Sequence, residues 1–201
     1  MDDTHVLVLL FGGRRAPRAL RGLPVLDAGV DLDPIPACRR LVVVGSHADL
    51  AAVLTRLLRA DRLDIEVAHV RKRWQGRRAR TGTATRIPLI RDETGTVVAQ
   101  RADWLPQQGE RVILGEAVVD DVVLFDGEVA GVRIEPTTAL PGLRARVLSG
   151  RRWPRRWVTG RAAQLGTSGA LIVRDGNPAP RPARRSTFYR HTEGWLRVDG
   201  R

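Results

Sequence analysis

The chain of 201 residues is poor in the side chains that build disulfides and metal centres. Its only cysteine is Cys38, which excludes an internal disulfide bond. The four histidines lie apart at positions 5, 47, 69 and 191, without the spacing of zinc ligands. We therefore predict no metal site.

Long hydrophobic runs are also missing. The longest run near the start is Val6–Phe11, whereas a membrane helix needs about 20 apolar residues. Asp2 and Asp3 stand where a signal peptide carries positive charge. With 43% hydrophobic and 28% charged residues, the composition is that of a globular protein. We expect no membrane span and a cytoplasmic location.

Lysine is nearly absent, because Lys72 is the only lysine among 34 basic residues. The net charge is +12, and it is unevenly distributed: residues 1–70 are neutral, 71–101 carry +7, 102–135 carry −6 and 136–201 carry +11. This alternation predicts surfaces of opposite sign, the basic ones suited to an anionic partner. A solvated basic surface without a ligand is the alternative interpretation.

The first third of the chain has the pattern of alternating strands and helices. Val6–Phe11 and Leu41–Val44 are unbroken apolar runs, typical of strands buried on both faces of a parallel sheet. Between residues 48 and 58 the apolar side chains recur at helical spacing, and Leu63–Val70 reads as a further strand. We predict a small Rossmann-like α/β layer here.

After Arg80 the pattern changes to short β-branched runs separated by glycine and proline. Hairpin turns are predicted at 92–95, at Asp126-Gly127-Glu128 and at 175–177. The predicted fold class is therefore α/β plus β: a nucleotide-binding-like α/β domain at 1–75, a basic connecting loop at 71–82, and an antiparallel, sandwich-like β-rich domain at 83–201. Exposed strand edges in the second domain would allow a homodimer.

The order of these elements resembles the superfamily of diacylglycerol kinases, sphingosine kinases and NAD kinases. The resemblance is closest at residues 42–50, VVVGSHADL, where family members have a strand, Gly-Gly-Asp-Gly-Thr, then a leucine and a helix. The segments 160–162, 174–176 and 195–198 are similar to the closing hairpins of the lipid-kinase branch. The resemblance implies a nucleotide site at the glycine-rich turn, with magnesium-dependent transfer of a phosphoryl group.

The turn departs from the family pattern in its chemistry. Ser46 and Ala48 replace glycines that let phosphates approach the backbone, and His47 replaces the acidic residue. Magnesium prefers hard oxygen ligands, so imidazole is a poor substitute. Asp49 remains nearby, where a carboxylate favours the helix dipole. The family's Gly-Thr-x-Asn-Asp loop is replaced by the basic segment 71–80.

The leading hypothesis is a non-catalytic or diverged member of this superfamily that binds a phosphorylated small molecule or a protein partner. The predicted ligand-binding residues form two groups: Gly45, Ser46, His47 and Ala48, and then Arg71, Lys72, Arg73, Arg77 and Arg78. No cofactor is assigned under this hypothesis.

Two alternatives stay open. The first is an active lipid or nucleotide kinase that uses ATP and magnesium through Asp49, Asp126 or Glu128. The second is an arginine-rich module that binds nucleic acid or another polyanion through 71–80 and 151–157, where tryptophans lie among the arginines.

Overall fold

The structure is a computed structural model that describes residues 5–27, 35, 37–148 and 156–199. The chain divides into two compact units. The first unit extends to Ile87 and resumes at Glu193, and the second extends from Pro88 to Thr192. The sequence pattern places the C-terminal strand in the β-rich domain, whereas the structure places it in the first unit.

The described strands of the first unit form one sheet. They are β1 (Val6–Leu10), β2 (Val25–Asp27), β3 (Arg40–Val44), β4 (Glu66–Val70), β5 (Thr83–Ile87) and β17 (Trp195–Asp199). Their spatial order is β2-β1-β3-β4-β17-β5. All neighbours are parallel except β5, which is antiparallel to β17. The last strand of the chain thus lies between β4 and the edge strand β5.

The centre of this sheet is β3, in which all five residues are buried. A run of β-branched residues buried on both faces is what a parallel sheet requires of a central strand. One cluster of buried side chains includes Val8, Val42, Val44 and Ala68, and it also includes Leu20 from a short 3-10 helix at Arg18–Leu20. The parallel strands are therefore fixed by apolar burial.

The helix predicted at 48–58 is confirmed as α1 (His47–Arg59). Its buried residues Leu50, Val53, Leu54 and Leu57 follow the predicted apolar stripe. α1 connects β3 to β4 and contacts β3. Arg56 and Arg59 lie in its last turn, where positive charge favours the helix dipole.

Helical turns occupy most of the predicted connecting loop at 71–82. A 3-10 helix at Arg73–Gln75 leads directly into α2 (Gly76–Thr81). The reason is tertiary: the buried guanidinium of Arg40 donates hydrogen bonds to the carbonyl oxygens of Ala79, Arg80 and Gly82, at 3.1, 2.7 and 2.9 Å. These contacts satisfy carbonyl groups at the end of a six-residue helix that is too short to be stable alone.

The second unit is antiparallel throughout its described pairs. Its strands are β6 (Ile90–Asp92), β7 (Val97–Val98), β8 (Ala102–Leu105), β9 (Ile113–Val119), β10 (Val122–Val129), β11 (Val132–Pro136), β12 (Leu143–Val147), β13 (Val158–Gly160), β14 (Ala162–Arg174), β15 (Asn177–Pro178) and β16 (Ala183–Arg190). The main path is β13-β12-β11-β8-β14-β16-β6-β7, while β9 pairs with β10 and β14. The described chain as a whole is mostly strand with few helices.

The core of the second unit surrounds Trp104, which is fully buried. Its ring centroid lies 6.0 Å from that of Phe188, and its indole Nε1 donates a hydrogen bond to the Ser186 hydroxyl at 3.1 Å. A buried indole needs such a partner because an unpaired donor is costly in an apolar core.

Two of the three predicted hairpin turns are confirmed, at 92–95 between β6 and β7 and at 175–177 between β14 and β15. The third is wrong. Asp126-Gly127-Glu128 lies inside β10, paired with residues 114–116 of β9. The chain reverses earlier, at Asp120, which adopts φ 49° and accepts hydrogen bonds from the backbone N–H groups of Arg161 and Ala162.

No helix among the described residues is long and apolar enough to span a membrane.

Candidate anion-binding site

The carboxyl ends of β1, β3 and β4 meet at one edge of the parallel sheet, where α/β proteins commonly bind their ligands. β1 is followed by two glycines with positive φ, Gly12 at 61° and Gly13 at 66°, and then by Arg14 and Arg15. A left-handed conformation at two successive positions is accessible to glycine at little cost. The turn therefore brings two arginines to this edge.

A cavity of about 370 Å³ opens at the same edge. Its lining residues are Arg14, Arg15, Pro17, Val44, Val70, Arg71, Lys72 and Arg73. Five of the eight are cationic, none is acidic, and all five cationic residues are exposed. Such a concentration of positive charge raises the local concentration of anions, and guanidinium groups match the geometry of phosphate oxygens.

The loop after β4 is held in place by Gln75. Its side-chain oxygen accepts hydrogen bonds from the backbone N–H groups of Arg71 and Lys72, both at 2.8 Å. These two donors are therefore engaged within the loop. An anion in the cavity would contact the charged ends of the side chains instead of those N–H groups.

The turn after β3 is closed on itself in a similar way. The Asp49 carboxylate accepts hydrogen bonds from the backbone N–H and the hydroxyl of Ser46, and the Ser46 hydroxyl accepts one from the Asp49 N–H. This reciprocal arrangement is a capping box. A Cβ placed on Gly45 would lie 2.6 Å from Asp49 Oδ2, so glycine is required for the carboxylate to fold back.

Two histidines complete this turn. His69 Nε2 lies 3.2 Å from the carbonyl oxygen of Gly45 and 3.1 Å from that of Ser46. Because both partners are acceptors, Nε2 carries the proton and donates. Burial, with smaller contributions from the charges of His47 and Arg71, lowers the pKa of His69 to about 4. The ring is therefore neutral near pH 7, and its centroid lies 5.1 Å from that of His47.

This turn does not fit a magnesium-bound triphosphate. Asp49 is the only carboxylate among residues 45–49, and its Oδ2 is engaged in the helix cap. The remaining polar side chains are a hydroxyl and an imidazole, and imidazole is a poor ligand for magnesium. Within the described parts of the chain, no group of three His, Cys, Asp or Glu residues is placed to hold a metal ion.

The structure separates the residues predicted to bind a ligand. Arg71, Lys72 and Arg73 line the cavity at the sheet edge, whereas Arg77 and Arg78 line a second cavity. Gly45, Ser46, His47 and Ala48 form the entry to α1 and are not among the lining residues of either cavity.

The two acidic candidates outside the turn lie in the second unit. Asp126 and Glu128 are exposed residues of β10. They flank Gly127 and lie on the same face of the strand. Asp126 is opposite Glu116 of β9. They are thus surface residues of a hairpin, while Asp49 belongs to the first unit.

Sequence reasoning missed Arg14 and Arg15. The available signal was the pair of glycines after the first buried strand, which is a suitable turn at the carboxyl edge of a parallel sheet. Of the second basic segment, 151–157, residues 151–155 lie outside the described part of the chain. Trp157 is described, and the guanidinium carbons of Arg144 and Arg146 lie 4.3 and 4.5 Å from its ring centroid.

These features define an α/β layer with a basic carboxyl edge and an antiparallel β-rich unit. The same fold occurs in NAD kinases and diacylglycerol kinases. No family model matches the sequence, and no curated protein matches it significantly.

Three solved structures illustrate the likeness. An NAD kinase from Archaeoglobus fulgidus in complex with ATP is 11% identical at a TM-score of 0.68, covering 97% of this chain and 94% of that one. A diacylglycerol kinase from Bacillus anthracis is 9% identical at 0.72, with 97% and 96% covered. Yeast NADH kinase complexed with NADH is 7% identical at 0.63, with 98% and 84% covered. At such identities the likeness shows the fold, and at that level the resemblance is confirmed.

Proposed function

We propose that the protein binds a phosphorylated small molecule, such as a nucleotide, in the cavity at the carboxyl edge of its Rossmann-like layer, and that it does not transfer a phosphoryl group from magnesium-bound ATP. The observation that carries the proposal is the cavity itself, of about 370 Å³: among the described residues that line it, five are cationic and none is acidic. The kinase-like fold supports it, because a related kinase structure contains ATP.

The non-catalytic part of the proposal is supported by the turn before α1. Phosphoryl transfer relies on positioned phosphates and on metal ions that neutralise their charge. Here the Asp49 carboxylate is engaged in capping, and a Cβ on Gly45 would lie 2.6 Å from its Oδ2, so the carboxylate is folded closely over the turn. Binding energy would come instead from Arg14, Arg15 and Lys72, whose side chains line the cavity and form no ion pair with a described carboxylate.

Isothermal titration calorimetry with ATP and with NADP, each with and without magnesium, tests the proposal. We expect binding without magnesium and a loss of about tenfold in affinity for Arg14→Gln and for Lys72→Gln, since a charge-assisted contact contributes about 1.5 kcal/mol. The matched control is Arg59→Gln, which removes the same charge at the far end of α1.

An assay for ADP and for phosphorylated lipid or nucleotide is run on the same protein. Binding that is unchanged in Arg14→Gln and Lys72→Gln would exclude this cavity as the site. Magnesium-dependent product that disappears in Asp49→Asn would instead establish the active-kinase alternative.

A further inference from the structure

A second basic surface lies on the outer side of the segment 73–81. Trp74 is 62% exposed, although tryptophan is usually well buried. Arg77 and Arg78 are also exposed, and among the described residues no carboxylate forms an ion pair with either of them. An aromatic ring and two cations are thus presented together on one surface.

The ring and one cation are close enough to act together. The guanidinium carbon of Arg78 lies 5.8 Å from the centroid of the Trp74 ring. At that distance the cation is attracted to the π system. A planar base that stacks on the exposed indole would therefore bring its phosphate near a positive charge.

Arg77 and Arg78 also border a cavity of about 700 Å³. The other lining residues are Thr81, Gly82, Thr83, Thr85 and Asp199. The Thr81 hydroxyl donates to the carbonyl oxygen of Arg77 at 3.0 Å, whereas the hydroxyls of Thr83 and Thr85 can donate hydrogen bonds to phosphate oxygens. Asp199 is the single acidic group among the described lining residues, and Arg197 pairs with it. The two arginines on α2 therefore determine the charge that a ligand would meet.

This surface stands on a rigid support. Arg40 holds the end of α2 through three carbonyl groups, and Ala79 is buried beneath it. Gly76 packs so closely that an added Cβ would lie 3.0 Å from Pro17. Because the helix is ordered by these contacts, binding would not require it to fold, and little conformational entropy would be lost.

We propose that this surface, formed by Trp74, Arg77, Arg78 and the cavity beside them, binds single-stranded nucleic acid. Unpaired bases would stack on Trp74, and backbone phosphates would pair with the arginines. A single strand is required because the bases of a duplex are stacked on each other and cannot reach the indole.

A polymer fits this surface better than a mononucleotide. Cationic residues precede Trp74 at 71–73 and follow it at 77–78, and each group lines its own cavity. A rise of about 1.5–2 Å per residue in helical turns places residues 71 and 78 roughly 10–14 Å apart, which is longer than one nucleotide. The strand would reach residues 71–73 of the smaller cavity, but the inference is tested separately from the proposed function, because Trp74, Arg77 and Arg78 do not line that cavity.

Fluorescence anisotropy with a dye-labelled oligonucleotide of about 12 nucleotides, within the usual site size, tests the inference. We expect Trp74→Ala to weaken binding about tenfold without changing the charge of the protein, and Trp74→Phe to restore most of the affinity. Arg77→Gln and Arg78→Gln should each flatten the dependence of log affinity on log salt by roughly 0.7. Arg59→Gln is the matched control for charge, and circular dichroism checks the fold of each variant.

Two results would overturn the inference. A duplex of the same length could bind as tightly as the single strand, or Trp74→Ala could bind like the unchanged protein. Failure of this inference is distinguishable from failure of the proposed function, because the test of the proposed function uses variants of Arg14 and Lys72.

Discussion

Asp49 Oδ2 accepts two hydrogen bonds from Ser46, one from the backbone N–H and one from the hydroxyl, both at 2.7 Å. One carboxylate oxygen therefore closes the turn between β3 and α1. The position that resembles a kinase phosphate loop is occupied by a helix cap made from the protein's own side chains.

The first prediction concerns this cap. Asp49→Ala removes the oxygen that accepts both hydrogen bonds, so we expect the free energy of unfolding to fall by about 1 kcal/mol. Asp49→Asn retains a side-chain carbonyl and should lose less. Urea denaturation measures both changes, and calorimetry should find ATP affinity nearly unaltered in both variants. A large loss of ATP affinity at unchanged stability would contradict the structural role of Asp49.

The second prediction compares two arginines that share one partner. Arg40 and Arg39 both pair with Glu66, but the Arg40 side chain is 9% exposed and the Arg39 side chain 75%. Arg40→Ala leaves three carbonyl groups without this donor and the Glu66 carboxylate with only the exposed Arg39, so we expect a loss of about 3–5 kcal/mol. Arg39→Ala should cost less than about 1 kcal/mol.

Chemical denaturation of the two variants provides the comparison. If Arg40→Ala does not fold, the double variant Arg40→Met, Glu66→Leu removes both charges and should recover much of the stability. Equal losses for Arg39→Ala and Arg40→Ala would show that burial does not determine the strength of this pair.

The third prediction is a dependence of stability on pH. The pKa of His69 falls from its ordinary 6.5 to about 4 in the folded protein. Below pH 6.5 the unfolded chain binds a proton that the folded chain does not, so stability falls with pH between about 6.5 and 4. At roughly 1.4 kcal/mol per unit of pKa, the loss reaches about 3 kcal/mol at the lower limit.

Urea denaturation at pH 7 and pH 5, with the variant His69→Gln, measures this contribution. Glutamine can donate to the same two carbonyl groups but does not titrate, so its stability should change less between the two pH values. An NMR titration of the His69 ring that gives a pKa near 6.5 would contradict the prediction.

The fourth prediction concerns the single thiol. Burial raises the pKa of Cys38, while the charge of Arg62 lowers it to a smaller extent. We expect slow alkylation by iodoacetamide near pH 8, because the thiolate is the reactive form. Unfolding in urea should increase the rate of alkylation. In the folded protein, Arg62→Gln should decrease that rate, because the charge of Arg62 lowers the pKa of the thiol. Faster alkylation in the folded protein than in urea would show that the thiol is activated.

The local elements were predictable where one stretch of sequence contains the whole cause. The apolar stripe and the Ser46–Asp49 cap define α1 within one or two residues, and the apolar run at 41–44 defines β3. The turns at Gly95 and at Asp175-Gly176 were also predictable from the sequence. Their positive φ angles are accessible to glycine and tolerated by aspartate, and both residue types are typical of turns.

Only the tertiary structure decided the features whose cause lies far along the chain. The end of α2 is held by Arg40, some 40 residues earlier, and the turn at Asp120 is held by backbone groups of residues 161 and 162. Asp126-Gly127 has the composition of a turn, yet pairing with β9 keeps it in a strand. Local sequence propensity determines the backbone conformation only where no distant residue forms a competing contact.

The candidate site shows the same division. The basic character of 71–78 is visible in the sequence. That Arg14 and Arg15 join Arg71–Arg73 around one cavity follows from the parallel order of β1, β3 and β4, which places their carboxyl ends at one edge. The sequence by itself determined which side chains are present, and the sheet decided which of them meet, because strand order brings together residues that are distant in the chain.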